Sequence, residues 1–173
     1  YERFASRDDI ELLKISSDLR KDPAERKRLI NESDITFLCL PDAAAKESVS
    51  LVENENVVII DTSTAHRTEE GWAYGFAELS EEHKNKIING KRIAVPGCHA
   101  SGFIALVYPL IKNGILSKDA LLTAHSITGY SGGGKAMIAD YESDERSPLL
   151  NGPRQYGIAQ KHKHLPEMSK ITG

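Results

Sequence analysis

The stretch Pro96-Gly97-Cys98-His99-Ala100-Ser101-Gly102 sets a cysteine between a Pro-Gly turn and an apolar run with helical spacing. A thiol attacks carbon only as thiolate, and the backbone N–H groups and positive dipole end of a helix N-terminus favour that anion. Burial is the competing reading, because free cysteine is among the most buried residue types. Cys39, inside the apolar run "TFLCLP", reads as an inert core residue. A nucleophile of this kind needs a proton donor or acceptor beside it, and histidine has the pKa for that work. His162 and His164 stand two apart in "HKHLPE", so an extended backbone puts both imidazoles on one side. Glu167 follows them and Tyr156 precedes them. A metal site is the rival use of two histidines and a carboxylate, but the spacing is not that of a helical zinc motif, and no third ligand accompanies them. Solvated loop histidines are the plainer alternative.

A second chemical signal is "GYSGGGKA", where Gly129, Gly134 and Lys135 satisfy the glycine and lysine spacing of a phosphate-binding loop. Ala136 stands where that loop needs Ser or Thr for magnesium, so a nucleotide-hydrolysing reading is rejected. Its backbone N–H groups, with Ser131 and Lys135, could instead hold an acyl phosphate or a carboxylate of a substrate. A flexible turn is the alternative.

These residues need a scaffold, and the chain alternates apolar runs with helical patterns. Strands are expected over residues 10–15 ("IELLKI"), 34–40, 57–61 and 92–95, and over the stretch "LLTAHSITG". Helices are expected after Asp22-Pro23, after Pro41 with Asp42 as cap, and behind Cys98. That last helix should bury Phe103, Ile104, Val107, Leu110 and Ile111, adjust locally at Pro109, and stop at Gly114. Beyond the glycine-rich loop the chain reads as polar and loop-like as far as "HKHLPEM".

The alternation predicts an α/β fold, a doubly wound Rossmann-like parallel sheet whose first strand and glycine loop are missing. Residues 1–96 form its NADP-binding domain, incomplete at the N-terminus. Residues 97–173 begin an α+β catalytic domain, incomplete at the C-terminus. Both ends read as cuts through a larger protein. Open sheets of this kind bind ligands beyond the carboxyl ends of their strands. Ser16 and Arg20 follow the first apolar run and suit a 2′-phosphate, so with Pro41 they are the cofactor-binding candidates. Asp18 beside them argues for NAD, and a solvated basic turn is the bland alternative.

Bulk properties narrow the partners. Hydrophobic residues make up 40% and charged residues 27% of the chain, which suits a globular protein rather than a disordered one. A net charge of −3 without a basic block argues against nucleic acid. The apolar stretch "FIALVYPLI" is too short to span a bilayer. Two cysteines make no disulfide framework and fit the cytoplasm.

The segments "STAHR", "YGFAEL", "PGCHASGFIALVYPL", "SITGYSGGGKAMIADYE" and "HKHLPEM", in that order, resemble the shorter branch of the N-acetyl-gamma-glutamyl-phosphate reductases. The resemblance implies an arginine-biosynthesis oxidoreductase that converts N-acetyl-glutamyl 5-phosphate to N-acetyl-glutamate 5-semialdehyde with NADPH, and a homo-oligomer. Cys98 falls on the family's nucleophile, with His99 where tyrosine is commoner, and His162 on its acid/base. His164, Glu167 and Tyr156 fall on positions lining the same pocket. Arg67 in "STAHR" and Lys135 are candidates for substrate anion contacts, and both also read as surface charges. Cys98 would displace phosphate to form a thioester, which hydride then reduces. Three alternatives stay open: a dehydrogenase for an aspartyl or lysine-pathway acyl phosphate, a Cys–His acyl hydrolase, and a non-catalytic Rossmann-like binding module.

Overall fold

A computed structural model describes residue 4 and residues 6–173. Four strands, β1 (Ile35–Leu38), β2 (Val58–Asp61), β3 (Ala73–Tyr74) and β4 (Arg92–Ala94), form one sheet in the order β1-β2-β4-β3. Every pairing is parallel, with Ile35 opposite Val58, Ile59 opposite Arg92 and Ala73 opposite Ile93. Parallel neighbours need crossovers, supplied by α2 (Asp42–Ser50) between β1 and β2 and α3 (Glu81–Asn89) between β3 and β4. The expected α/β architecture is therefore present.

Local chemistry explains the helix starts. The Asp22 carboxylate accepts the Ala24 N–H, and Pro23 opens α1 (Pro23–Glu32) without losing a needed donor. The Ser80 hydroxyl likewise caps α3 through the His83 N–H. Asp42 does not act as the expected cap. It is the first residue of α2, behind Pro41, and its carboxylate accepts the N–H and hydroxyl of Thr64 from the loop beyond β2.

Two expected strands are absent. Residues 10–15 and the stretch 121–129 adopt no regular element and form no ladder, because neither finds a strand edge among the described residues. Cys39 is another correction: it lies just past the end of β1 and is exposed. The stretch expected to be loop-like contains α5 (Gly134–Glu142), and α6 (Leu165–Thr172) follows the histidine pair.

The long helix α4 (Cys98–Lys112) runs through Pro109, and the Asn113 N–H and side-chain amide both return to the Pro109 carbonyl before Gly114 turns with φ +69°. One core cluster, Ile30, Leu38, Val57 and Ile59, seals the β1–β2 side. A second joins Tyr74 of β3 to Ala100 and Ile104 of α4, with Met168 and Ile171 of α6 against it. This second cluster seats the start of α4. Along its expected apolar face Ile104 is fully buried, whereas Leu110 is 40% exposed. No helix among the described residues is long and apolar enough to cross a membrane.

Candidate active site around Cys98

Where β4 ends, the Val95 N–H donates to the Asp61 carbonyl at 2.8 Å, and Pro96 and Gly97 swing the chain into α4. Cys98 is the first residue of that helix and is exposed. No side chain caps α4 and no acidic residue lies in its first turn, so backbone N–H groups face the region of Cys98 without a carboxylate from the helix itself. Glycine at 97 is a packing requirement. A Cβ there would lie 2.6 Å from Arg67 Nη1 and closer still to His164 Nε2.

Beneath this turn sits a buried polar junction. Glu167 Oε1 accepts the Gly97 N–H at 2.8 Å and the Tyr74 hydroxyl at 2.7 Å, while Oε2 pairs with Arg67 Nη1 at 3.2 Å. Arg67 also donates through Nε to the Val95 carbonyl at 2.8 Å and through Nη2 to the Thr62 carbonyl at 3.1 Å. Glu167 is 1% exposed and the Arg67 side chain 8%, so this pair is interior. Burial and the Glu167 carboxylate push the Tyr74 phenol above its ordinary range, which keeps it a donor.

Above the turn lies a cleft of about 1180 Å³ lined by Cys98, His99, Ser126, Tyr156 and His162, with Phe103 on its apolar side. His162 lies edge-on to His99 at 5.7 Å between ring centroids, and Tyr156 is 5.6 Å from His162. The His99 ring exchanges a 2.6 Å hydrogen bond with Ser126 Oγ through Nδ1. His162 Nδ1 accepts the His164 N–H at 3.2 Å, which places the proton of the neutral ring on Nε2. Burial, reinforced by His99 and Lys163, holds His162 below its ordinary pKa. Its ring is therefore neutral at pH 7, with Nε2–H as a donor.

His164 is not in the cleft lining. It is 4% exposed, lies 4.5 Å from the His162 ring, and its Nδ1 has no hydrogen-bond partner. Burial drives its pKa down to about 4, so it stays uncharged at neutral pH. The sequence-derived candidates thus divide by depth. Cys98, His162 and Tyr156 share the cleft, while His164, Glu167 and Arg67 lie packed beneath the turn. Ser131, in the short 3₁₀ turn before α5, and exposed Lys135 at the start of α5 are not among the lining residues, although Gly129, Tyr130 and Met137 are. Ser16 and Arg20 occupy an exposed stretch ahead of α1, and Pro41 precedes α2.

Sequence reasoning missed three features. Tyr74 carries no signature that would mark its hydroxyl. The His99–Ser126 bond joins residues 27 apart. A buried network also forms where the chain leaves β2: Asp61 accepts the Ser63 N–H and hydroxyl and bonds His66 Nδ1 at 2.6 Å, with His66 stacked on Trp72 at 4.0 Å. The spacing Asp61, Ser63, His66 at a strand end was the available signal.

Two family models match the chain: "Semialdehyde dehydrogenase, NAD binding domain" over residues 5–87 and "Semialdehyde dehydrogenase, dimerisation domain" over residues 98–173. N-acetyl-gamma-glutamyl-phosphate reductase from Chelativorans sp. (strain BNC1) is 50% identical over 166 residues, covering 96% of this chain and 53% of that protein. The enzyme of the same name from Trichormus variabilis is 45% identical over 177 residues, covering all of this chain and 55% of its own length. That from Burkholderia cenocepacia is 44% identical over 173 residues, at 99% and 55%. The chain spans about half the length of the curated relatives it matches.

Proposed function

The chain belongs to the semialdehyde dehydrogenase family, and on that premise we propose that it carries the nucleophile and the cofactor-side scaffold of an NADPH-dependent N-acetyl-gamma-glutamyl-phosphate reductase. The observation that carries this reading is Cys98, exposed at the uncapped start of α4 and sharing a cleft with His162.

The chemistry runs as follows. The Cys98 thiolate attacks the acyl carbon of N-acetyl-L-glutamyl 5-phosphate, the C–O bond to phosphorus-bound oxygen breaks, and phosphate leaves with one solvent proton. A thioester remains on Cys98. When bound, NADPH supplies hydride to the thioester carbon. Backbone N–H groups at the start of α4 and the His162 Nε2–H stabilise the oxygen anion that results. Collapse of that adduct breaks the C–S bond, releases N-acetyl-L-glutamate 5-semialdehyde and restores the Cys98 thiolate. Tyr156 lies beside His162 in the cleft lining and is assigned to the substrate. Ser131 and Lys135 lie outside the cleft lining, on the turn and helix that supply Tyr130 and Met137 to it, and are assigned to the substrate's anionic groups.

The parallel sheet fits a dinucleotide. Its carboxyl edge is where sheets of this kind take ligands, and the exposed Ser16–Arg20 stretch suits a 2′-phosphate. Pro41 at that edge is assigned to the cofactor as well. Residues 1–96 are assigned to cofactor binding and residues 97–173 to catalysis, in a homo-oligomer. The description of the family model over residues 98–173 supports assembly. A cytoplasmic setting keeps both unpaired cysteines reduced.

The test uses the complete protein and follows NADP reduction by N-acetyl-glutamate semialdehyde in the reverse direction. Activity that requires phosphate and is lost in Cys98→Ser is expected. A folded protein that neither turns over nor binds NADPH overturns the reading.

A further inference from the structure

Glu167 and Arg67 lie under the catalytic turn rather than in the cleft, and one more side chain reaches them from the far edge of the sheet. Tyr74 belongs to β3, and its ring packs with Ala100 and Ile104, in the first and second turns of α4. Its hydroxyl donates to Glu167 Oε1, the same oxygen that accepts the Gly97 N–H. Gly97 is the residue that precedes Cys98 and caps α4. Four chain segments therefore meet at one carboxylate: β3 through Tyr74, the loop beyond β2 through Arg67, the turn beyond β4 through Gly97, and α6 through Glu167.

The partition of donors matters. Glu167 has two oxygens, and Arg67 occupies one of them. With Tyr74 in place, the other oxygen is fixed in position by a rigid phenol anchored in the sheet, and the Gly97 N–H finds its acceptor at a defined point. Without the hydroxyl, that oxygen is held by the Gly97 N–H alone, and the carboxylate is free to rotate toward Arg67. A buried charge that loses one of its donors is destabilised by the full desolvation of that lone pair. The turn carrying Cys98 then loses its reference.

We propose that Tyr74 is a positioning residue for the nucleophile, acting through Glu167 on the Gly97 N–H and so on the seating of Cys98 at the start of α4. The inference rests on the reading of Cys98 as nucleophile, and it assigns Tyr74, Glu167 and Arg67 to support of the site rather than to contact with substrate.

The experiment is a double-mutant cycle in the complete protein with Tyr74→Phe and Glu167→Gln. Each variant is followed by kcat and KM for NADP in the reverse reaction, and by the rate of iodoacetamide alkylation at Cys98 relative to Cys39 in the same molecule. Phe keeps the ring packing, so a folded variant is expected. In Tyr74→Phe, kcat and the Cys98-to-Cys39 ratio fall by about threefold to tenfold, while KM for NADP stays within about twofold. In the Glu167→Gln background the same Tyr74→Phe change has little further effect, because the relay is already broken. A Tyr74→Phe protein that melts lower but keeps both kcat and the alkylation ratio overturns the proposal, since packing alone would then explain the residue. Full additivity of the two substitutions overturns it also. The alkylation ratio needs neither substrate nor cofactor. A ratio that drops in an enzyme without turnover leaves the positioning role standing and removes the reductase reading. Turnover with an unchanged ratio and kcat does the reverse.

Discussion

Two turns in this molecule follow the same recipe and differ in outcome. Beyond β1 the chain reads Cys39-Leu40-Pro41 and enters α2. Beyond β4 it reads Val95-Pro96-Gly97 and enters α4 with Cys98. Both leave a parallel strand at its carboxyl end, both use proline, both start an uncapped helix, and both expose a cysteine. At the first turn the helix opens with Asp42. Bonds from Thr64, with Lys163 and Arg67 further off, hold this carboxyl below its usual range, and its charge occupies the helix's positive end. Cys39 lies outside the helix, three residues before Asp42. At the second turn the sulfur itself is the first helical residue, and no acid competes for the dipole. The Glu167 carboxylate is buried, sits behind Gly97, and is paired with Arg67. A strand, a proline and a cysteine do not by themselves tell the two turns apart. Register against the helix start, and the location of the nearest negative charge, do.

The sharpest way to break this contrast is to exchange the sulfurs for oxygen one at a time. Cys98→Ser is expected to lower turnover by about a thousandfold or more, whereas Cys39→Ser leaves it within about twofold. Steady-state assays of the two variants settle the point, and comparable losses would dissolve the distinction.

The two helix-capping positions come next. Gly97→Ala forces a methyl group against Arg67 and His164, so a loss of about 1–3 kcal/mol in stability is expected, with a larger fractional loss of kcat than of NADPH affinity. Pro41→Ala at the matching position of α2 should cost under about 1 kcal/mol. Denaturant melts of both variants would show it.

What the second turn has overhead, and the first lacks, is a neutral imidazole. If His162 works through its Nε2–H, Gln at this position retains a donor and loses about tenfold, while Ala loses about a hundredfold. Equal losses would mean that proton exchange, not hydrogen-bond donation, is the service required. Selective ¹⁵N labelling would report the tautomer directly.

The smallest effect concerns acid. Burial drives the His164 pKa from an ordinary 6.5 to about 4, so between those values the unfolded chain binds a proton that the folded one refuses. His164 therefore opposes folding increasingly as pH falls from 6.5 toward 4 and has no such effect above that window. Thermal melts of the wild type should drop between pH 7 and pH 5, and those of His164→Gln should drop less.

Much of the scaffold was legible because it is written locally. Asp22-Pro23 starts α1 by chemistry contained in three residues, and the apolar runs at 34–40 and 57–61 needed only each other to pair. The runs at 10–15 and 121–129 look much the same in sequence and form no ladder, because a strand is defined by its neighbour's edge and not by its own composition. At the site, Cys98 and the histidine pair were visible as residue types at suggestive spacing. Their sorting into cleft and interior was not. Glu167 and His164 read as polar groups beside a nucleophile, and only the approach of β3 and the loop beyond β2 shows that they are walled in. Tyr74 had no local signal at all, since its partner is 93 residues away.

That separation bears on how the protein comes to be made. The contact between Arg67 and Glu167 closes a loop of a hundred residues, and closure of such a loop carries an entropy cost that rises with the logarithm of its length. Contacts of this span form late relative to helices and neighbouring strands. During synthesis from the N-terminus, the sheet and α4 can assemble before α6 has left the ribosome. Through that interval Gly97 lacks its carboxylate and the turn has no floor. The turn that carries Cys98 gains its support from a segment translated about seventy residues later, so until Glu167 emerges a nascent chain holds this cysteine on an unsupported turn.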